Sequence, residues 1–299
     1  MAWVPAPRAE VNTVRYTRRD DRKHVFPMTP LNIAHRGGAG LWPENTLFAF
    51  QNAVARGFDG AELDVQLTRD GKLVVFHDFR LKPEICRDEK GYWLAAPGPF
   101  IKDLALAELC TFDIGRPKPG SDYASAHTEL TPHDGERIPL LSEVLDIAAA
   151  KKDFRLFVEI KTNFRDRSQS APPEAVAEAA IATLKQANFL SRAILCGFDW
   201  VALRHAMKIE PGIACWFTTL PPHERKEDVA SLLTTIKSAG GQGWSPSRFD
   251  AREETIRQAH ALGLKVGVWT VNTPDDMRAL RMAGADAIFT DRPDLLAMI

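Results

Sequence analysis

From residue 31 onward, short β-branched runs alternate with amphipathic stretches, and this rhythm restricts the fold more than any other feature of the 299-residue chain. The candidate strands are LNIAH (31–35), AELDVQL (61–67), LFVEIK (156–161), AILCGF (193–198), IACWFT (213–218), GQGWS (241–245), KVGVWTV (265–271) and DAIFT (286–290). Helical signals fill the gaps. Asp250 stands as N-cap for 251–262, with Glu253 as capping partner and Gly263 as terminator. Thr273, Pro274, Asp276 and Gly284 repeat the device over 274–283. In 140–150, Leu141, Val144, Leu145 and Ala148 fall at i, i+3, i+4 and i+7, the pattern of a helix with one buried face. Eight strand–helix units predict a parallel sheet closed into an α/β TIM (β/α)8 barrel.

Three pieces stand outside the alternation. VQLTRDGKLVVFHD carries Asp70-Gly71 between two strand-like runs, which predicts a tight β-hairpin. If those are its two turn residues, Asp64 faces His77. Residues 79 to about 138, rich in Pro, Gly and charge, read as an insertion capping the barrel mouth, with Tyr92, Trp93, Phe100 and Tyr123 as candidates to contact a substrate or to pack the insertion's own core. Residues 1–30 form an N-terminal arm with six basic residues against three acidic ones. The expected organisation is thus the arm and one barrel domain, 31–299. Without arm and insertion about 209 residues remain, or about 26 per unit, a compact barrel.

Composition removes several classes of function. With 38 Lys plus Arg against 39 Asp plus Glu, the chain lacks the basic footprint that nucleic-acid binding needs. No run of about 18 apolar residues predicts a membrane span, and the first 30 residues hold no secretory apolar core. Cys86, Cys110, Cys196 and Cys215 lie far apart without a CxxC pair, so reduced thiols and a cytoplasmic location are expected.

In such a barrel the active site forms at the C-terminal ends of the strands. There the chain places His35 and Arg36, then Glu62 and Asp64 two apart on one face, His77 after the hairpin, and Glu159 and Lys161, again co-facial. Three converging carboxylates repel one another unless a divalent cation neutralises them, and oxygen ligands select Mg2+ or Ca2+ over zinc. Arg36 and Lys161 remain as cations for an anionic substrate, and two histidines can serve as general base and general acid. This inventory points to phosphodiester hydrolysis. A buried Glu159–Lys161 ion pair is the competing structural reading, and the glycines at 37, 38 and 40 fit either a phosphate-cradling loop or a simple tight turn.

The segment IAHRGGAGLWPENTLFAFQNAVARGFDGAELDVQLTRDGKLVVFHD, with its HRG, PENT, ELDV and HD elements, resembles the N-terminal signature of the glycerophosphodiester phosphodiesterases. The likeness continues through GERIPLLSEVL (135–145), FVEIK (157–161), VWTVN (268–272) and DAIFTDRP (286–293), covering almost everything after residue 30. It implies a TIM barrel that uses a divalent metal to hydrolyse glycerophosphodiesters to sn-glycerol 3-phosphate and an alcohol. By the same resemblance Glu62, Asp64 and Glu159 ligate the metal, His35 and His77 perform acid–base catalysis, and Arg36 and Lys161 contact the phosphate. Glu44 and Asn45 of the PENT element would support the first strand end, and Trp269 would wall the glycerol side or pack the barrel core. A phospholipase D-like hydrolase of lysophospholipids and a non-catalytic barrel binding phosphorylated ligands are the rival readings. The alcohol, the choice between Mg2+ and Ca2+ and the oligomeric state stay open at this level.

Overall fold

The computed structural model of the protein describes residues 29–299, so the expected arm lies almost wholly outside the described residues. Nine strands share one sheet: β1 (Leu31–Ala34), β2 (Gly60–Leu67), β3 (Leu73–Val75), β4 (Arg155–Ile160), β5 (Ala193–Gly197), β6 (Ala214–Thr218), β7 (Gly243–Ser245), β8 (Lys265–Val268) and β9 (Ala287–Thr290). β1 pairs in parallel with both β2 and β9, and every other neighbour in the ring is also parallel, so eight strands close into a TIM barrel. β3 is the exception, an antiparallel extension on β2. Helices such as Leu47–Ala55, Pro173–Gln186 and Val229–Ser238 lie between consecutive strands. None of the described helices is long and apolar enough to cross a membrane.

Two apolar layers hold the barrel. The larger lies between the sheet and its helices, where Leu141, Val144, Leu145 and Ala148 bury the face that their spacing predicts. The smaller fills the barrel interior. Its Phe157 ring meets the rings of Trp216 and Phe289 edge-on, with centroids 5.1 and 4.8 Å away, plugging the floor beneath the strand ends. Trp216 leaves no room for a side chain at position 243, where a Cβ would stand 2.4 Å from the indole. The insertion has a core of its own, built by Leu81, Ile85, Ile101, Leu109, Ile114 and Tyr123 against Val74 and Phe76 of the hairpin arm.

Two local expectations are corrected. The hairpin is one residue longer in its loop than the Asp70-Gly71 reading requires: Val65 faces Val75, and Thr68 N–H donates to the Lys72 carbonyl. Both favoured two-residue turns need positive φ at position 70, but of residues 70 and 71 only Gly71 has it, at φ +72°. Asp64 therefore stands opposite Phe76, whose N–H donates to the Asp64 carbonyl, and His77 lies beyond the end of β3. The second correction concerns Asp250, which caps nothing. Its carboxylate is paired with the buried Arg225 guanidinium, because a buried cation needs that partner more than the helix needs a cap. The helix Glu253–Ala261 starts after Arg252 instead, whose N–H donates to Thr255 Oγ1. The Thr273 cap and the Gly284 terminator stand as expected.

Candidate active site

The end of β1 is built as a sharp turn. Arg36 takes a left-handed conformation at φ 50°, a strained state for a side chain of this size. Gly37 and Gly38 follow at φ 83° and 105°, and a Cβ on Gly37 would stand 2.8 Å from Ala49 Cβ. The Gly38 and Ala39 N–H groups donate to the His35 carbonyl and that of Gly40 to the Asp291 carbonyl, so this segment is a tight turn and not a phosphate cradle. Strain here has a visible return: Arg36 N–H donates to Glu62 at 3.1 Å while its guanidinium reaches Glu44 at 3.1 and 3.2 Å. Asn45, left-handed at φ 57°, sends its N–H to the Arg36 carbonyl and its side-chain amide to Asp64 at 2.9 Å. Asparagine tolerates that backbone state and supplies a donor.

Glu62, Asp64 and Glu159 meet in space, each offering a carboxylate oxygen within 4.8 Å of the others. The parallel register sets this up, since Asp64 on β2 is the direct partner of Glu159 on β4. Burial, then Asp64 and Glu159, push the Glu62 carboxyl up to about 8. Asp64 is just as buried, yet His77, Lys161 and Arg36 outweigh that burial and hold it far below the usual carboxylate range. Glu62 Oε1 and Asp64 Oδ1 are buried without a hydrogen-bond partner. Orphaned oxygens of this kind are costly unless something electropositive faces them, so the donor set fits a hard divalent cation.

The other expected residues fall around this cluster. His35, Arg36, Glu62, His77, Glu159 and Trp269 line one cleft of about 580 Å³ at the barrel mouth. Asp64 sits behind that lining at 1% exposure, and Lys161 faces an adjoining groove. The Glu159–Lys161 ion pair read from the sequence is formed at 2.9 Å, and Lys161 Nζ also stands 3.6 Å from Asp64. Glu44 and Asn45 stay outside the cleft, behind Arg36 and Asp64. Trp269 is half-buried, donating its indole N–H to the Ser245 carbonyl and packing edge-on against Phe198.

Of the insertion's aromatic candidates only Tyr123 reaches this network. Tyr92 is 70% exposed, and Trp93 and Phe100 pack against Arg87 and Arg80 outside the cleft. The Tyr123 hydroxyl donates to Glu44 at 2.7 Å, so the insertion steadies Arg36 through one carboxylate. Lys82 lies over the same ring at 4.7 Å and 3.6 Å from Asp78, which itself bonds the His77 ring at 3.1 Å. Replacing Tyr123→Phe keeps the ring and removes the donor to Glu44. The expected cost is about 1.5–3 kcal/mol of stability, read from the denaturant midpoint, with a raised KM as Arg36 loses its fixed orientation.

Sequence reasoning missed Asp291. This residue follows the end of β9 directly, and its carboxylate lies 2.6 Å from His35 Nδ1 while Asn272 donates to its other oxygen at 2.7 Å. Burial opposes a charge on both, but the pairing wins: it raises His35 and draws the Asp291 carboxyl down to about 2. The DAIFTDRP element contained the residue, and the strand-end rule applied to β1, β2 and β4 would have found it at β9. Asp291→Asn is expected to lower kcat by about 10², measured beside an unchanged unfolding transition, because the imidazole loses the group that orients and charges it.

The model for the glycerophosphoryl diester phosphodiesterase family matches residues 35–295. The chain belongs to this family. A glycerophosphodiester phosphodiesterase from Caldanaerobacter subterraneus is 34% identical over 269 residues, covering 90% of this chain and 97% of its own. A crystal structure from Silicibacter pomeroyi, provisionally named for the same family, superposes with a TM-score of 0.83 at 31% identity, covering 90% of this chain and 92% of that one. An Oleispira antarctica phosphodiesterase in complex with the product sn-glycerol-3-phosphate is 24% identical with a TM-score of 0.70, covering 90% and 96%, and is similar in fold. The enzyme is a phosphoric diester hydrolase acting on glycerophosphodiesters.

Proposed function

We propose that the cleft at the barrel mouth hydrolyses the bond between phosphorus and the alcohol of a glycerophosphodiester, releasing sn-glycerol 3-phosphate. The meeting of three carboxylates with two histidines and two cations at one set of strand ends carries this reading. Glu62, Asp64 and Glu159 would hold one divalent cation, Mg2+ or Ca2+. Bound there, the ion supplies Lewis-acid stabilisation of charge developing on phosphate oxygen.

This chain's own side chains do the rest. Arg36 is fixed by Glu44, by its own turn and by Asp64 3.6 Å from its Nε, and it lines the cleft where its guanidinium would meet a phosphate oxygen. Lys161 supplies a second cation from the edge of the groove. One of His35 and His77, which line the same cleft, accepts the proton of the attacking hydroxyl and the other protonates the leaving alkoxide. Asp291 and Asp78 keep the two rings oriented through their Nδ1 atoms. Trp269 walls the glycerol side with an indole whose polar atom is already satisfied. In this reading residues 31–299 act as one domain with 79–138 as its mouth insertion. Four free thiols support a reducing, cytoplasmic setting. A release assay for glycerol 3-phosphate over a panel of head groups, with and without chelator, tests the reading. No release from any diester in excess Mg2+ or Ca2+ overturns it.

A further inference from the structure

We propose that Gln66 is a positioning residue for His77, tying the short stretch of chain that carries this histidine to the wall of the barrel. The inference rests on the role of His77 proposed above and adds what holds it in place. Gln66 follows Glu62 and Asp64 at two-residue spacing on β2, so its side chain takes the same face as theirs, while Leu63, Val65 and Leu67 turn to the helices. It stands one step beyond Val65, the last residue of β2 paired with β4, where the strand has left the ring and pairs only with the hairpin arm. Gln66 is 3% exposed, too deeply buried to leave its amide to solvent. That amide donates to the carbonyls of Phe76 at 2.8 Å, Asp78 at 2.9 Å and, more weakly, His77 at 3.4 Å.

Three consecutive carbonyls converging on one point repel one another, and among the described residues no backbone N–H reaches any of the three. One amide with two hydrogens is thus the donor for the whole turn. The need is particular to this histidine. His35 ends β1 and is steadied by Asp291 at the end of β9, so its ring is held between two strands of the barrel. His77 lies beyond β3, and the carboxylate that bonds its Nδ1 at 3.1 Å belongs to the next residue. The other oxygen of Asp78 has no hydrogen-bond partner and lies 3.6 Å from Lys82 Nζ, four residues further along the same loop. Ring, carboxylate and cation therefore ride on one segment and do not by themselves fix it to the barrel. The Phe76 N–H, bonded to the Asp64 carbonyl, makes one tie to β2, and the Gln66 amide carries the tie past His77 to Asp78. An acid or base has to stand within a hydrogen bond of the proton it moves, and a displacement of about 1 Å can cost about 10²-fold in rate.

The test is a double-mutant cycle on the full chain with excess Mg2+ or Ca2+, following glycerol 3-phosphate release from glycerophosphocholine. Gln66→Met keeps the length of the side chain and removes the donor, whereas Gln66→His, the milder change, keeps one ring N–H at similar reach. Gln66→Met is expected to lower kcat by about 10-fold or more, and Gln66→His by less, with KM within about 2-fold of wild type because Arg36, Lys161 and the three carboxylates are untouched. With His77→Ala already in place, the same substitutions are expected to change kcat by less than about 2-fold, since no imidazole is left to misplace. The rise in unfolding midpoint on adding Mg2+ or Ca2+ is expected to stay as in the wild type. Where Gln66→Met does not fold, Gln66→His carries the same comparison. Wild-type kcat in the Gln66 variants, an equal loss in both backgrounds, or a lost metal-induced rise overturns the inference and leaves the proposed function standing: the residue is then dispensable, merely structural, or acting through Asp64. Wild-type turnover in His77→Ala overturns this inference and the proposed role of His77 together.

Discussion

His35→Ala and His77→Ala are each expected to lower kcat by about 10² or more while the protein stays folded, because a positioned acid or base contributes about that factor to a proton transfer. Both imidazoles face the same cleft, and neither holds up the apolar core. Their surroundings bias them in opposite directions. Burial works against a charge on each, but Asp291 and Glu62 raise His35 above the ordinary histidine value, whereas Lys161 and Arg36 reinforce burial and lower His77. Two groups of one type whose environments push them apart are what an acid–base pair requires. Steady-state kinetics on glycerophosphocholine beside thermal unfolding curves provide the check. Wild-type turnover in either variant removes that histidine from the chemistry.

Chelation is expected to abolish turnover by about 10² or more, since a bound cation contributes several kcal/mol to charge stabilisation in such a reaction. Stability offers an independent readout. Adding Mg2+ or Ca2+ to the stripped protein should raise the unfolding midpoint, by about 2.7 kcal/mol of stability when the ion reaches 100 times its dissociation constant. Glu62→Gln removes one ligand while keeping the shape of a carboxyl that, without an ion, holds its proton to about 8. The variant should therefore fold, lose turnover and lose most of the metal-induced shift. An undiminished shift would place the ion elsewhere.

The site was legible where chemistry follows strand ends. Glu62 and Asp64 share a face because side chains alternate along β2, and their meeting with Glu159 follows from a parallel ring of strands. Legibility stopped where a side chain is placed by something other than its own strand. His77 was expected in the site, yet the cross-strand pairing that would have put it there does not exist: a three-residue loop shifts the register by one, and His77 arrives only because the chain leaves the sheet after Val75. Tyr123 lies 79 residues from Glu44 in a segment with no periodic pattern, so nothing local announces their hydrogen bond. Asp291 follows the last residue of β9 directly, so the strand-end rule reaches it without any long-range information.

By itself the sequence determined the eight-unit barrel, the family and most of the residues that meet at its mouth, because strand periodicity, helix capping and strand-end chemistry are local and repeat from unit to unit. Only the tertiary structure decided which carboxylate oxygens are orphaned, which cations are already paired, and that Asp291 holds His35. Those properties depend on partners distant in the chain. Burial, electrostatic balance and hydrogen-bond satisfaction are set by all the groups that fold around a residue, and no window of sequence contains them.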